Sequence, residues 1–313
     1  MRLLGAAVVR NEADIVEAFV RHNLAVLDGI AIVDHGSIDA TPDILRSLAD
    51  EGLPIFVARD DTPAFDQQPM LNRLVRHLFA TSDVAWVFPL DADEFLRTPS
   101  RTALEATFGV AGPVTDVTLE WFTYVPDFER CGDTLACLRS ARRVRDDRHG
   151  FRKVAVSRAF ASDADLYVTK GQHRVESRKT PPQRRPAVIL PPDALSIAHV
   201  PIRSARQFTQ KIALGWLSLL GAPERERNES LHWREAFEYL GSGRPLTPGQ
   251  LMAFATNYGV PMARWLPTDA HELVEDPFLR DIPLRYQGGA ATDPLAIVLR
   301  QAERLLRASG ATR

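Results

Sequence analysis

The first hundred residues predict an α/β fold, a mostly parallel sheet flanked by helices, on three observations. Strand-like and helix-like apolar patterns alternate from residue 3 to residue 90. Residues 84–90 (VAWVFPL) carry no charge, as expected of a strand buried on both faces. That run ends abruptly in Asp91-Ala92-Asp93-Glu94-Phe95. Charges cannot sit inside such a sheet, so they belong at its carboxyl end, where open α/β sheets bind ligands.

Each element has its own local reason. Leu3–Val9 is strand-like. Asn11 offers a helix cap with Asp14 at the capping-box position, and Ile15, Val16, Phe19, Val20, Asn23, Val26 and Leu27 follow at helical spacing. Ile30–Val33 is a second strand. Pro42 after Thr41 starts a helix with Ile44, Leu45 and Leu48 on its apolar face, and Gly52 stops it. Ile55–Ala58 is a third strand, and Pro69 opens a helix carrying Leu71, Leu74, Val75, Leu78 and Phe79. The buried strand 84–90 completes a βαβαβαβ order, which implies parallel pairing with helices on both faces.

Beyond residue 98 the pattern changes. Residues 114–122, 153–159, 166–169, 172–176 and 195–200 are short strand candidates. Between the first two lies an Arg-rich loop, Arg139 to Arg152, and residues 178–186 form a Pro/Arg-rich exposed loop. From Ser204, which caps a helix with Gln207 at the box position, the chain is mainly helical, with helices near 230–240, 248–257 and 293–308. The expected organisation is one α/β domain over 1–203 with a helical region over 204–313 packed on it.

With 313 residues, 45% hydrophobic and 25% charged, the chain can bury a sizeable core without staples. Cys131 and Cys137 make neither a zinc site nor a disulfide framework and fit a reducing compartment. A net charge of −2 argues against nucleic acid as a partner. Arginine supplies all but four of the 38 basic residues, and its guanidinium suits phosphate contact. No apolar run is long enough for a transmembrane helix. Ile212–Ala222 is apolar on all sides but short, the pattern of a buried helix, and leaves a peripheral membrane contact open. The expected location is cytoplasmic. The oligomeric state is not legible.

Residues i and i+2 of an extended chain point the same way, so Asp91 and Asp93 form a like-charge pair that needs a cation or a shared proton. Mg²⁺ typically combines one or two carboxylates with substrate phosphates. Asp34 ends the second strand, where an acidic group can accept hydrogen bonds from ribose hydroxyls or a base N–H. Gly36 allows close approach, while Asp39 and Thr41 can close the turn and cap the next helix. The chain has no G-x-G-x-x-G, no P-loop and no Ser or Cys in a nucleophile motif. What remains is metal-dependent handling of a nucleoside diphosphate without a covalent enzyme nucleophile.

Arg10-Asn11-Glu12, then Asp34-x-x-Ser37-x-Asp39-x-Thr41, then Trp86-Val-x-x-Leu-Asp91-x-Asp93-Glu94-Phe95 resembles the family 2 glycosyltransferases, closest to the bacterial subgroup with NE, DxxSxDxT and DADEF blocks. The resemblance is strong over residues 1–97, and it implies a catalytic domain over 1–203 with a nucleotide-sugar-binding half over 1–97 and an acceptor half over 98–203. It continues at Phe151-Arg152-Lys153, His173, Ile197-Ala198-His199 and Arg203-Ser204-x-x-x-Phe208-x-x-Lys211. Arg10, where lysine is commoner, and Val200, where an aromatic is commoner, depart from it. It implies a GT-A-type sheet and inverting transfer from a nucleotide sugar, by default a UDP-sugar, with Mn²⁺ or Mg²⁺. The acceptor would be a hydroxyl of a glycan or lipid-linked glycan.

Carried over by position, Arg10, Asn11 and Glu12 would line the nucleoside pocket and Asp34 would contact base or ribose. Asp91 would face ribose and metal, and Asp93 would be the main metal ligand. His199, or failing that His173, would complete the metal site. Lys153, Arg152 and Lys211 would neutralise the departing diphosphate. Gln67, Gln68, Asn72 and Arg73, at the start of the helix before the Asp91 strand, would reach base or phosphate. The base that activates the acceptor would be Glu120, Glu94 or Asp127. Trp121, Phe122 and Tyr124 would stack on an acceptor sugar or pack in the core. The competing readings are a catalytically inactive GT-A binding module and a sugar-phosphate nucleotidyltransferase. The Arg-Asn-Glu loop, which is not Gly-rich, counts against the latter. A haloacid-dehalogenase-type phosphatase is disfavoured by Phe95, where it would carry Thr or Val.

Overall fold

The computed structural model describes residues 1–62, 67–111, 115–179, 188–220, 231–286 and 293–308. Its first half follows the expected alternation: β1 (Leu3–Val9), α1 (Val16–Leu24), β2 (Gly29–Asp34), α2 (Thr41–Asp50), β3 (Ile55–Arg59), α3 (Gln67–Thr81) and β4 (Trp86–Leu90). β1 pairs in parallel with β2 and β4, and β2 with β3. The carboxyl ends of all four strands therefore lie along one edge.

The second half is mixed. It runs β5 (Glu94–Arg97), α4 (Arg101–Ala111), β6 (Asp116–Val125), α5 (Thr134–Ser140), β7 (Arg142–Val144), β8 (Arg152–Ser157), α6 (Arg158–Ala161), β9 (Leu166–Val168), β10 (Val175–Ser177), β11 (Val188–Ile189) and β12 (Ser196–His199). β8 inserts antiparallel between β4 and β6. β12 runs parallel to β6 and antiparallel to β5, which brings His199 level with Thr123 and Glu94. The helical region comprises α7 (Ala205–Leu220), α8 (Leu231–Gly241), α9 (Pro248–Thr256), a short strand β13 (Leu273–Val274) paired with β7, and α10 (Pro294–Ala308).

The fold is thus α/β, with a central sheet flanked by helices and a helical C-terminal region. Apolar side chains of α1, α2 and α4 cover one sheet face and those of α3 and α6 the other. A third core joins Val125, Val144 and Ile202 to α7, α8 and α9. The apolar run at 212–219 is a buried helix surface, as its composition predicts. Gly215 lets Trp233 of α8 approach, since a Cβ there would stand 2.1 Å from the indole. No helix among the described residues is long and apolar enough to cross a membrane.

Three local expectations change. Asn11 does not cap α1, which starts five residues later after Ile15 with no side-chain cap. The Arg-rich loop contains β7. Cys131 and Cys137 are joined in a disulfide, with Cα atoms 4.8 Å apart, where two reduced thiols were expected. Their separation of six residues lets the turn entering α5 bring them together. Most of the 178–186 loop lies outside the described residues.

Candidate active site at the carboxyl edge of the sheet

Two of the sequence motifs form one hydrogen-bonded unit. Asn11 N–H donates to Ser37 Oγ (2.9 Å), and Ile38 N–H donates to Asn11 Oδ1 (2.8 Å). Glu12 N–H donates to Thr41 Oγ1 (2.9 Å) and Ala13 N–H to Asp39 Oδ2 (3.2 Å). Asp39 Oδ1 accepts from Thr41 N–H, and Asp34 Oδ1 from Ser37 N–H. Asp34 Oδ2 pairs with Arg59 at 2.9 Å, and the residue is only 2% exposed. Asp34, Asn11, Asp39 and Thr41 therefore build the two loops rather than present themselves at a surface. Asn11 adopts φ +55°, a left-handed conformation that Asn tolerates better than most residues.

The acid pair follows β4 as expected, and each acid meets a lysine. Asp91 Oδ2 accepts from Lys153 Nζ (2.9 Å) and Oδ1 from Gln67 Nε2 (2.8 Å). Asp93 Oδ2 is bound by Lys211 and lies 3.5 Å from His199 Nε2 and 3.9 Å from Arg203. Burial works against both carboxylates. Lys153 outweighs it at Asp91, and Lys211, His199 and Arg203 outweigh it at Asp93, so both are held below the ordinary Asp range. Glu94 is wholly buried. Its Oε2 accepts from Asp91 N–H (3.0 Å), Lys153 lies 2.6 Å from its Oε1, and burial pushes it up to about 8. Burial likewise pushes Glu12 up to about 7, against the pull of Arg203 and Lys211.

Arg203 ties the site together and was not singled out as a site residue by sequence. Only 2% exposed, it donates to Glu12 (2.7 Å) and to Asp14 (2.6 and 3.0 Å). The one signal for it is its place beside Ser204 in the RS-x-x-x-F-x-x-K block. Gln172, 2.5 Å from Lys153, and Tyr258, whose ring packs edge-on to His199 at 5.1 Å, carried no signal at all.

Both candidate histidines lie in an aromatic wall around Trp121. His199 packs on Trp121 at 4.2 Å between centroids, and His173 stacks on Phe151 at 4.6 Å. Burial pushes both imidazoles down to about 4, so both are neutral near pH 7, the form that binds metals. His173 Nδ1 faces Arg152 O at 2.8 Å, and only His199 touches the acid pair. His199 Nδ1 is buried without a partner. Among the described residues no three of His, Cys, Asp and Glu converge to hold an ion unaided. The donor chemistry suits a divalent cation whose coordination is completed by substrate oxygens.

The remaining candidates separate. Gln68 and Asn72 donate to Val168 O and so brace β9 against α3, while Arg73 is exposed. Glu120 registers with Arg152 and pairs with it at 2.8 Å. Lys153 and Trp121 alternate with those two residues along their strands, so Glu120 and Arg152 face away from Asp91. Asp127 follows the carboxyl end of β6 with its side chain 33% exposed. Asp147, not picked out by sequence, accepts from Thr123 N–H at 2.7 Å on the same edge. Trp121 and Tyr124 are buried in the core, and Phe122 is half-buried against Arg143.

No protein-family model and no curated protein matches the chain. Among solved structures, it is similar to S. aureus TarS 1–349 in complex with UDP-GlcNAc, with 13% identity over 86% of this chain and 83% of that one, at a TM-score of 0.40. It is also similar to the mannosyltransferase PcManGT from Pyrobaculum calidifontis in complex with GDP-Man and Mn²⁺, with 16% identity over 86% and 77% and a TM-score of 0.37. Glucosyl-3-phosphoglycerate synthase from Mycobacterium tuberculosis is similar over 50% and 57%, with 17% identity and a TM-score of 0.29.

Proposed function

We propose that this chain is an inverting glycosyltransferase that moves a sugar from a nucleotide sugar, by default a UDP-sugar, to a hydroxyl of a glycan or lipid-linked glycan. The observation that carries the reading is the ionised Asp91/Asp93 pair at the carboxyl end of a buried central strand, facing Lys211, Arg203 and a neutral His199. Acids and bases concentrated at that edge suit a diphosphate that needs charge stabilisation as it departs.

Asp91, Asp93 and His199, together with substrate oxygens, would hold Mn²⁺ or Mg²⁺, which would supply Lewis-acid stabilisation of the diphosphate oxygens. Lys211, part-exposed, is placed to move from Asp93 to a phosphate oxygen. The acceptor oxygen attacks the anomeric carbon opposite the diphosphate; its new C–O bond forms as the old one breaks. Its proton passes to a carboxylate. Asp127 is our choice, because Glu94 is buried against Lys153 and Glu120 faces the other side of the sheet.

The test is calorimetric titration of UDP with and without Mn²⁺, on wild type and on Asp93→Ala. Mn²⁺-dependent binding lost in Asp93→Ala supports the reading. Retained Mn²⁺-dependent affinity in the variant sinks the role of Asp93, and silence towards UDP, GDP, CDP and dTDP sinks the donor site. Asp127→Asn is expected to lose turnover by about a hundredfold, within the usual range for a general base, with UDP affinity intact. Full turnover would move the base elsewhere, Asp147 first.

A further inference from the structure

The C-terminal helix reaches back to the edge where the site lies. Gln301 Oε1 of α10 accepts from Arg10 Nη2. Arg304 Nη1 donates to Gly36 O (2.8 Å) and its Nη2 to Asp61 O (2.9 Å), and the same Nη2 pairs with Asp61 Oδ1 at 3.3 Å, so Arg304 brings a carboxylate partner with it where Arg10 has none in contact. The same helix thus touches the loops after β1, β2 and β3. Gly36, at φ +63°, leaves the room: a Cβ there would stand 2.7 Å from Arg304 Nη2.

Arg10 has no carboxylate in contact with it among the described residues. Its hydrogen bonds go to the neutral Gln301 and to Ser218 Oγ of α7 (3.3 Å). Its Nε is buried with no acceptor. Among the described residues no carboxylate lies within ion-pair distance of it, and Asp34 is already engaged by Arg59 and Ser37. A part-buried guanidinium with no acid against it is costly. Burial, then the charge of Arg304, pushes it down to about 10 against the pull of the more distant Asp34. Lys211 and Ser218 are seven residues apart on one face of α7, about 10 Å along its axis, so Arg10 stands apart from the Asp93 centre.

We propose that Arg10 and Arg304, held by α10, form a phosphate-binding site where the loops after β1, β2 and β3 meet, on the same sheet edge as the acid pair but apart from it. The missing partner of Arg10 is a phosphate oxyanion, carried either by the donor nucleotide or by a phosphorylated acceptor. The C-terminal helix is then part of the binding machinery, and its contacts set the position of both guanidinium groups.

Inorganic pyrophosphate and UDP are titrated into the full-length wild type, Arg10→Met and Arg304→Gln, and thermal midpoints are recorded for all three. The expected result is at least tenfold weaker pyrophosphate binding in both variants, with the midpoint of Arg10→Met above that of wild type. A raised midpoint with lost affinity is the signature of a charge kept for a ligand. Unchanged affinity overturns the proposal, and so does a fall of both affinity and midpoint in Arg10→Met, which would make Arg10 structural. UDP displacing pyrophosphate assigns the phosphate to the donor, whereas pyrophosphate binding to UDP-saturated protein assigns it to the acceptor. Wild type that binds pyrophosphate but no nucleoside diphosphate sinks the donor-site reading and leaves this site standing.

Discussion

Lys153, 1% exposed, donates to Asp91 Oδ2 (2.9 Å) and Gln172 Oε1 (2.5 Å) and lies 2.6 Å from Glu94 Oε1. A lysine so placed fixes Asp91 and Glu94, so under the proposed function the diphosphate would be met by Lys211 instead. Lys153→Met leaves the ionised Asp91 without its cation. It is expected to cost about 3–5 kcal/mol of folding free energy, measured by denaturant titration. Glu94→Gln keeps an acceptor for Asp91 N–H in place of a carboxyl already largely protonated at pH 7. It is expected to cost no more than about 1 kcal/mol. A large loss there would mean that Glu94 is ionised in the native state.

The loops after β1 and β2 show how an element-level role can hide inside a functional motif. Asn11 is held at positive φ by bonds to the chain around Ser37 and Ile38, and Gln210 of α7 donates to its carbonyl at 3.0 Å. Asn11→Ala loses the side-chain bond and keeps the strain, an expected cost of about 2–3 kcal/mol. Asn11→Gly loses only the bond and is expected to cost less. If the order reverses, the backbone is not strained there. Between α7 and α8, Gly215→Ala forces the indole of Trp233 to shift, and about 1–3 kcal/mol is expected to be lost through overpacking. An unchanged thermal midpoint would show that the helices separate freely.

At the scale of the whole molecule, the C-terminal segment returns to the first helix. Arg280 N–H meets His22 Nδ1 at 3.3 Å while His22 Nε2 faces Leu96 O at 2.9 Å, and Arg285 and Tyr286 N–H groups bond to Glu17. Burial pushes His22 down to about 4. The unfolded chain therefore binds the extra proton first, and this contribution to stability, about 3 kcal/mol in all, is lost as pH falls from about 6.5 to about 4. Glu12 and Glu94, pushed upward, act in the opposite sense, so the check compares variants: His22→Gln is expected to show a weaker fall of thermal midpoint over that window than wild type. Equal slopes would mean that His22 titrates normally.

The α/β alternation through β4, the placement of Asp91 and Asp93 and the Ser204 cap were legible because each depends on local pattern: periodicity, a missing charge, a capping side chain. The disulfide, the antiparallel insertion of β8, the turning away of Glu120, the convergence of Arg203 on Glu12 and Asp14, and the reach of α10 to Arg10 were not. The disulfide depends on the turn entering α5, and each of the others joins residues far apart in the chain or depends on which side of a strand faces which neighbour. The sequence by itself determined which residues could carry charge at the edge of the sheet. Only the tertiary structure decided which of them are paired, which are buried and which remain to meet a ligand, because pairing and desolvation are properties of neighbours in space.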